Sequence, residues 1–270
     1  MDLREIITTT RNYNFHTHTQ FCDGHDTMQA MADAAVACGF THLGFSPHSP
    51  IAIKSPCNMS VAAVGDYRRE IARLSGSLPL QLYMGLEIDY LSPDHSPSSA
   101  FFRDLGLDFA IGSVHFIPTG KGEFVDIDGS YERFCRTMET YFDGDIRYVV
   151  ETFYNQSAEM IAHGGFEILG HLDKIAQNGA LYHPGLEDET WYVDIIDDFM
   201  AEVLSSGLIV EINTKARESL GRFFPHERYW RRLIDAGVTL PVNSDAHYAD
   251  RLTTSRAEAF TILESYGYDS

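Results

Sequence analysis

The stretch Asn14–His25, "NFHTHTQFCDGH", crowds three histidines and an aspartate into twelve residues behind a short apolar lead-in. In an extended chain, residues two apart point to the same side, so His16 and His18 aim at one point. A carboxylate, Asp23, follows them closely. Converging imidazoles are the usual mark of a divalent-metal site. Taken alone, the pair would serve equally well as two polar residues at a strand end. The same residue types recur, however, wherever a short apolar run stops. They are His48 in "FSPHSP", Glu87 in "GLEIDY", His115 in "GSVHF", His171 in "LGHLDK", and Asp245 with His247 in "NSDAHY". One such histidine is more often a hydrogen-bonded core residue than a ligand. Gathered together, they would bury several ionisable groups with no counter-charge, which is costly without a cation. An open catalytic site uses about three protein ligands per metal. Nine N and O donors therefore suit two or three ions.

The elements that must position these donors are legible as patterns. The apolar runs are Tyr13–Phe15, His42–Ser46, Leu80–Ile88, Phe109–Phe116, Glu167–Leu172, Leu208–Thr214 and Leu240–Asp245, seven candidate strands. Several are almost continuously apolar ("GLIVEIN"), as in strands covered on both faces. Helical stripes lie between them. In Asp26–Gly39 the apolar residues fall at 28, 31, 32, 35 and 36, with Asp26 or Thr27 to cap the start and Gly39 to close the end. Similar periodicity marks "VAAVGDYRREIARLSG", Trp191–Met200 and "HERYWRRLIDAG". Strand–helix alternation predicts a parallel sheet, and seven units in one domain over residues 1–270 favour an α/β barrel. In such a barrel the C-terminal strand ends meet at one face, where active sites sit. Residues 117–165 break the alternation and are expected to form a loop and helices over the barrel mouth.

Bulk properties narrow the function. A formal net charge of −19 argues against nucleic acid and anionic membranes as partners. A small anionic substrate is still compatible if bound cations reverse the local field. Cys22, Cys38, Cys57 and Cys135 show no CxxC spacing, so reduced thiols are expected rather than disulfides or thiolate zinc. The N-terminus "MDLREIITTT" has no apolar core and no run approaches a membrane span, so a cytoplasmic protein is expected. No Gly-rich phosphate loop is present, and no GxSxG elbow surrounds Ser113.

With HxHxxxxD at 16–23, a histidine after strand two, the strand-three glutamate, two single histidines and a closing DxH, the chain resembles the polymerase and histidinol phosphatase (PHP) family. Within it, the resemblance is to monofunctional histidinol-phosphatases, and it runs from "NFHTHTQFCDG" to "VNSDAHY". It implies a distorted TIM-like (βα)7 barrel, the PHP fold, holding three divalent ions. By position, His16, His18, Glu87 and Asp245 would hold one ion. Glu87, His115 and His171 would hold a second, with Glu87 bridging. Asp23, His48 and His247 would hold the third. His25 is the alternative to Asp23, which fits the motif spacing better. Zn, Mn and Fe all suit such donors.

Clustered divalent ions suit phosphate ester hydrolysis. The leaving alkoxide needs a proton, for which Asp245 or His247 is the candidate. The phosphate needs cations besides the metals. Asn213, Lys215 and Arg217 in "EINTKAR" and Lys174 in "HLDK" are available, with Arg217 first because a guanidinium forks onto two oxygens. The residues alone reach a small phosphate monoester. The resemblance implies L-histidinol phosphate, hydrolysed to L-histidinol and phosphate in histidine biosynthesis. An acidic rim from Asp89, Glu151 and Asp173 would suit that cationic amino alcohol. Two other readings stand beside it. A PHP-type nuclease or phosphodiesterase would need a basic track. A non-catalytic metal-binding module would be expected to have lost ligands. Oligomeric state leaves no mark in the sequence.

Overall fold

A curled parallel sheet forms the centre of the structure, a computed structural model in which residues 2–268 are described. The strands of the described residues are β1 (Tyr13–Asn14), β2 (His42–Phe45), β3 (Gln81–Asp89), β4 (Phe109–Ser113), β5 (Phe116–Pro118), β6 (Phe124–Asp126), β7 (Ile168–Leu169), β8 (Ile209–Val210), β9 (Ile212–Asn213) and β10 (Val242–Asn243), of which β5 and β6 form a separate hairpin. Strands β1, β2, β3, β4, β7 and β8 pair in that order, all parallel. Strands β8 and β9 are one extended run broken at Glu211, and β9 pairs in parallel with β10. The ring then closes on itself. Thr17 bridges Ala246 in parallel, His18 N–H donates to Ala246 O (2.9 Å) and Ala246 N–H donates to His16 O (3.3 Å). The expected seven-unit, distorted TIM-like barrel is therefore what the chain builds.

Apart from β3, which keeps the length expected of Leu80–Ile88, the regular strands are shorter than the apolar runs predict, because side chains take over the ladder near their ends. Phe15 N–H donates to Asn243 Oδ1 (2.9 Å), Thr17 N–H to Ser46 Oγ (3.1 Å) and Ala110 N–H to Glu167 Oε2 (2.8 Å). The run Phe109–Phe116 divides at Ser113, after which β5 turns back antiparallel onto β6.

The predicted helices appear at Met28–Ala37, Val64–Leu74, Thr190–Ser206 and Trp230–Asp235. Thr27, not Asp26, caps the first of these, its side chain accepting Ala30 N–H at 3.1 Å. An N-terminal helix, Leu3–Thr9, was not expected; it buries Leu3 and Ile7. Residues 117–165 form the β5–β6 hairpin and the helices Tyr131–Tyr141 and Ile146–His163. Among the described residues no helix is long and apolar enough to cross a membrane.

The barrel interior below the site is aromatic. Phe15 and Phe109 are buried and meet edge-to-face at 5.6 Å. Room for the Phe109 ring comes from Gly44 and Gly85, where a Cβ would lie 2.6 Å and 2.3 Å from ring atoms. Packing of this kind fixes the sheet on which the donors stand.

Candidate metal centre

Glu87, near the end of β3, stands at the middle of the donor cluster. Five imidazoles approach its two oxygens: His48 at 3.0 Å, His16 at 3.3 Å and His18 at 3.5 Å on Oε2, and His171 at 2.9 Å and His115 at 3.5 Å on Oε1. Ser113 Oγ–H donates to Oε1 at 2.8 Å. His16 and His18 leave the end of β1 two apart and share a face as alternation predicts, their rings 5.2 Å apart. Asp245, after β10, lies 3.1 Å from His18 Nε2 and 3.8 Å from His16 Nε2. Its backbone is left-handed, with φ 49°, an uncommon conformation for a residue with a Cβ. Lys215 Nζ (3.1 Å) and Asn213 Nδ2 (3.1 Å) hold its carboxylate. Asp23 completes the third side. Its Oδ1 lies 3.3 Å from His247 Nε2, 3.7 Å from His48 Nε2 and 3.9 Å from His18 Nδ1.

Three donor groups emerge, each compact enough for one ion: His16, His18 and Asp245; His48, Glu87 and His115; and His18, Asp23, His48 and His247. They overlap the grouping that the family resemblance implies, although Glu87 belongs to one group and His171 to none. His18 and His48 each face two groups. His171 Nε2 lies 3.2 Å from His115 Nε2. His25 is exposed and turned away, stacked on Tyr248 at 4.2 Å.

Several of these atoms are buried with no aligned hydrogen-bond partner: His16 Nε2, His18 Nε2, His48 Nδ1 and Asp23 Oδ1. Buried polar atoms are rarely left so. Divalent cations at the centre would satisfy them, and the donor set, imidazole nitrogen and carboxylate oxygen, fits Zn, Mn or Fe. A second layer orients two of these imidazoles, an arrangement that metal sites use. His16 Nδ1–H donates to Glu211 Oε2 (2.7 Å), and His115 Nδ1–H donates to Asp89 Oδ1 (2.7 Å), so both Nε2 atoms face inward.

Charge sharing runs through the cluster. Burial would raise Glu87, but His16, His48 and His115 hold it well below the usual carboxylate range. Burial would depress His115, but Asp89 and Glu87 lift it to about 10. Burial, reinforced by the His247 and His48 imidazoles, pushes His18 well down. Without metal, protons on some imidazoles balance the carboxylates; bound cations would replace them.

The cluster opens into a cavity of about 370 Å³. Asp23, His48, Glu87, His115, Asp245 and His247 line it, with Asp126, Asp128, Arg133 and Lys215 among the other wall residues. Of the cations expected near a phosphate, only Lys215 is on that wall. Arg217 faces away: Nε and Nη2 both donate to Glu258 Oε1 (3.0 and 2.5 Å), Nη1 donates to Gly221 O (2.6 Å), and the guanidinium lies over Phe223. Lys174 is buried behind Asp128, 3.2 Å from its Oδ1. Asn213 braces Glu211 and Asp245.

The expected acidic rim is corrected at two of its three residues. Asp89 does stand on the cavity wall, bonded to His115, but Asp173 is buried under Arg222 (2.6 Å) and Glu151 pairs with Arg147 on a helix surface. Asp126 and Asp128 are the carboxylates on the cavity wall that the sequence reading missed. Glu211 and Arg133 were missed too. A glutamate inside "GLIVEIN" was the available signal for Glu211, since a buried apolar strand needs a reason to carry a carboxylate.

A seven-stranded parallel barrel with a histidine and carboxylate cluster at its C-terminal strand ends defines the class: a barrel protein with a donor set for more than one metal ion. The PHP domain family matches residues 14–215, and the chain belongs to that family. It is similar to a histidinol-phosphatase of Bacillus subtilis (strain 168), 29% identical over 253 residues, covering 87% of this chain and 92% of the relative. In fold it is similar to a candidate histidinol phosphatase of Listeria monocytogenes (TM-score 0.80, 19% identity, covering 91% of this chain and 99% of the other). It is also similar to histidinol phosphate phosphatase from Lactococcus lactis complexed with zinc, L-histidinol and phosphate (TM-score 0.69, 19% identity, covering 95% and 94%).

Proposed function

We propose that this chain is a metal-dependent phosphatase and that its substrate is L-histidinol phosphate, released as L-histidinol and phosphate. The observation that carries the reading is the convergence of eight histidine, aspartate and glutamate donors in three overlapping groups, six of them lining one cavity and several with buried atoms lacking aligned partners. The Bacillus subtilis relative, aligned over most of both chains, supports the substrate. In this reading His16, His18, Asp23, His48, Glu87, His115, His171, Asp245 and His247 hold three divalent ions, and residues 1–270 act as one domain. When bound, such ions activate water at neutral pH and neutralise phosphoryl oxygens.

The chain's own residues do the rest. Lys215 takes the place first expected of Arg217. Its Nζ lies on the cavity wall, 3.1 Å from Asp245 Oδ1 and 3.4 Å from His247 Nε2, within reach of an anion seated there. Desolvation by the surrounding wall would depress this ammonium, whose side chain is still 40% exposed, but Asp245 and Asp128 keep its pKa raised, so it stays charged. Arg133 supplies a second cation on the wall, 3.3 Å from Asp126. Asp128, with Asp126, gives the cationic end of the substrate an acidic surface. In this reading His247 or Asp245 hands a proton to the leaving alkoxide.

The nuclease reading needs a basic track, and the cavity wall carries six carboxylates, Asp23, Glu87, Asp89, Asp126, Asp128 and Asp245, against Lys215 and Arg133. The test is phosphate release with added Mn or Zn from L-histidinol phosphate, p-nitrophenyl phosphate, bis-p-nitrophenyl phosphate and single-stranded DNA in parallel. Preference for the first is expected. Faster hydrolysis of the diester or DNA would overturn the reading, and inertness toward all four would leave a binding module.

A further inference from the structure

The donor groups differ in how they are braced. His16 and His115 are fixed inside the barrel by the buried carboxylates of Glu211 and Asp89. Asp23 and His247 stand instead on two loops that meet. The first loop is folded on itself: Gln20 N–H donates to Asp26 O (3.0 Å) and Met28 N–H to Gln20 Oε1 (2.8 Å). It then grips the second loop in three ways. His25 N–H donates to His247 O (2.8 Å), the His25 ring stacks on Tyr248 at 8°, and Asp26 Oδ2 accepts Ala249 N–H at 2.7 Å. Ala249 opens a short 3-10 turn, Ala249–Arg251, whose own N-cap residue, Tyr248, makes no side-chain cap bond. Asp26 therefore caps that turn from the opposite loop. Part of the "CDGHD" motif that helix capping did not absorb thus has a use.

We propose that Asp26 is a positioning residue for the ion held by Asp23, His48 and His247. By capping Ala249 it holds the loop bearing Asp23 against the loop bearing His247 and so sets the affinity of that one group. The inference rests on the three-ion reading above. It makes the third ion separable from the two that the barrel interior braces.

The experiment is titration of chelator-stripped full-length chain with Mn2+ by calorimetry, with elemental analysis after desalting. Asp26→Ala should weaken one ion equivalent about 5- to 30-fold, the affinity equivalent of losing a helix cap. The remaining equivalents should bind as in the parent. Asp26→Asn keeps an acceptor oxygen, and Asn caps about as well as Asp, so it should restore the parental value within about threefold. Ala249→Pro removes the donor without touching the acid. Proline is tolerated at the first position of a helical turn, and Tyr248 before it is already extended (φ −134°, ψ 145°). It should reproduce the Asp26→Ala loss, and the double variant should lose no more than either alone, since both remove one interaction. Parental affinities in Asp26→Ala, equal weakening of every ion, or additive losses in the double variant would each overturn the proposal. A parent chain that binds fewer than three ions would overturn the three-ion reading as well, and that result is visible before any variant is made.

Discussion

At the residue scale, the donors were legible because metal chemistry restricts residue type and strands restrict direction. His16, His18, Glu87, His115 and Asp245 could be picked out from a short list of residues at the ends of apolar runs. Which way a loop cation faces is set by residues far along the chain, and Arg217 shows it: its partner Glu258 lies 41 residues on. The two cations should therefore behave oppositely. Lys215→Ala removes a charge-assisted contact worth roughly 1.5–3 kcal/mol, or about 10- to 150-fold in kcat/KM for L-histidinol phosphate. Arg217→Ala should stay within about threefold, as exposed ion pairs contribute roughly 0–1 kcal/mol. Steady-state kinetics on both variants checks this, and a reversed order would return Arg217 to the phosphate. Glu211→Gln keeps the shape but weakens the acceptor for His16 Nδ1–H. Metal affinity should fall about 10- to 100-fold, read by chelator competition.

At the element scale, existence and order of the seven barrel strands followed from the apolar runs, whereas their ends did not. The ends are where Asn243, Ser46 and Glu167 side chains replace backbone partners, and no local pattern announces a partner more than 25 residues away. The helix Leu3–Thr9 was hidden for a similar reason: seven residues give too little periodicity, and its support is tertiary burial of Leu3 and Ile7. The loop after β1 carries its own test. A Cβ at Gly24 would lie 2.2 Å from Thr19 N and 2.5 Å from His18 C, both backbone atoms. Gly24→Ala must push the His18 or Asp23 segment aside. Overpacking of this kind costs about 1–3 kcal/mol. At roughly 2–4 °C per kcal/mol for a chain of this size, Tm should fall by about 2–12 °C, together with bound metal. Unchanged Tm and metal content would mean that the turn is looser than its contacts indicate.

At the scale of the whole molecule, a net charge of −19 and a cavity lined with carboxylates make bound cations the condition for holding a phosphate. The same cations should stabilise the fold, because ligands held by β1, β3, β4, β7 and β10 ends are drawn together only in the native state. One ion at 100 times its Kd contributes about 2.7 kcal/mol. Chelation should accordingly lower Tm by roughly 5–10 °C for one such ion, and more if several leave. Thermal melts with and without chelator, followed by Mn2+ or Zn2+ add-back, measure this directly.

The central claim joins the donor cluster to one substrate. It is tested most directly by phosphate release from L-histidinol phosphate, followed in one preparation as isolated, after chelation and after metal is restored. The account predicts turnover that disappears with the metal and returns with it, and that p-nitrophenyl phosphate does not match. Metal-replete protein that fails to release phosphate from L-histidinol phosphate, or releases it equally well after complete chelation, would contradict it.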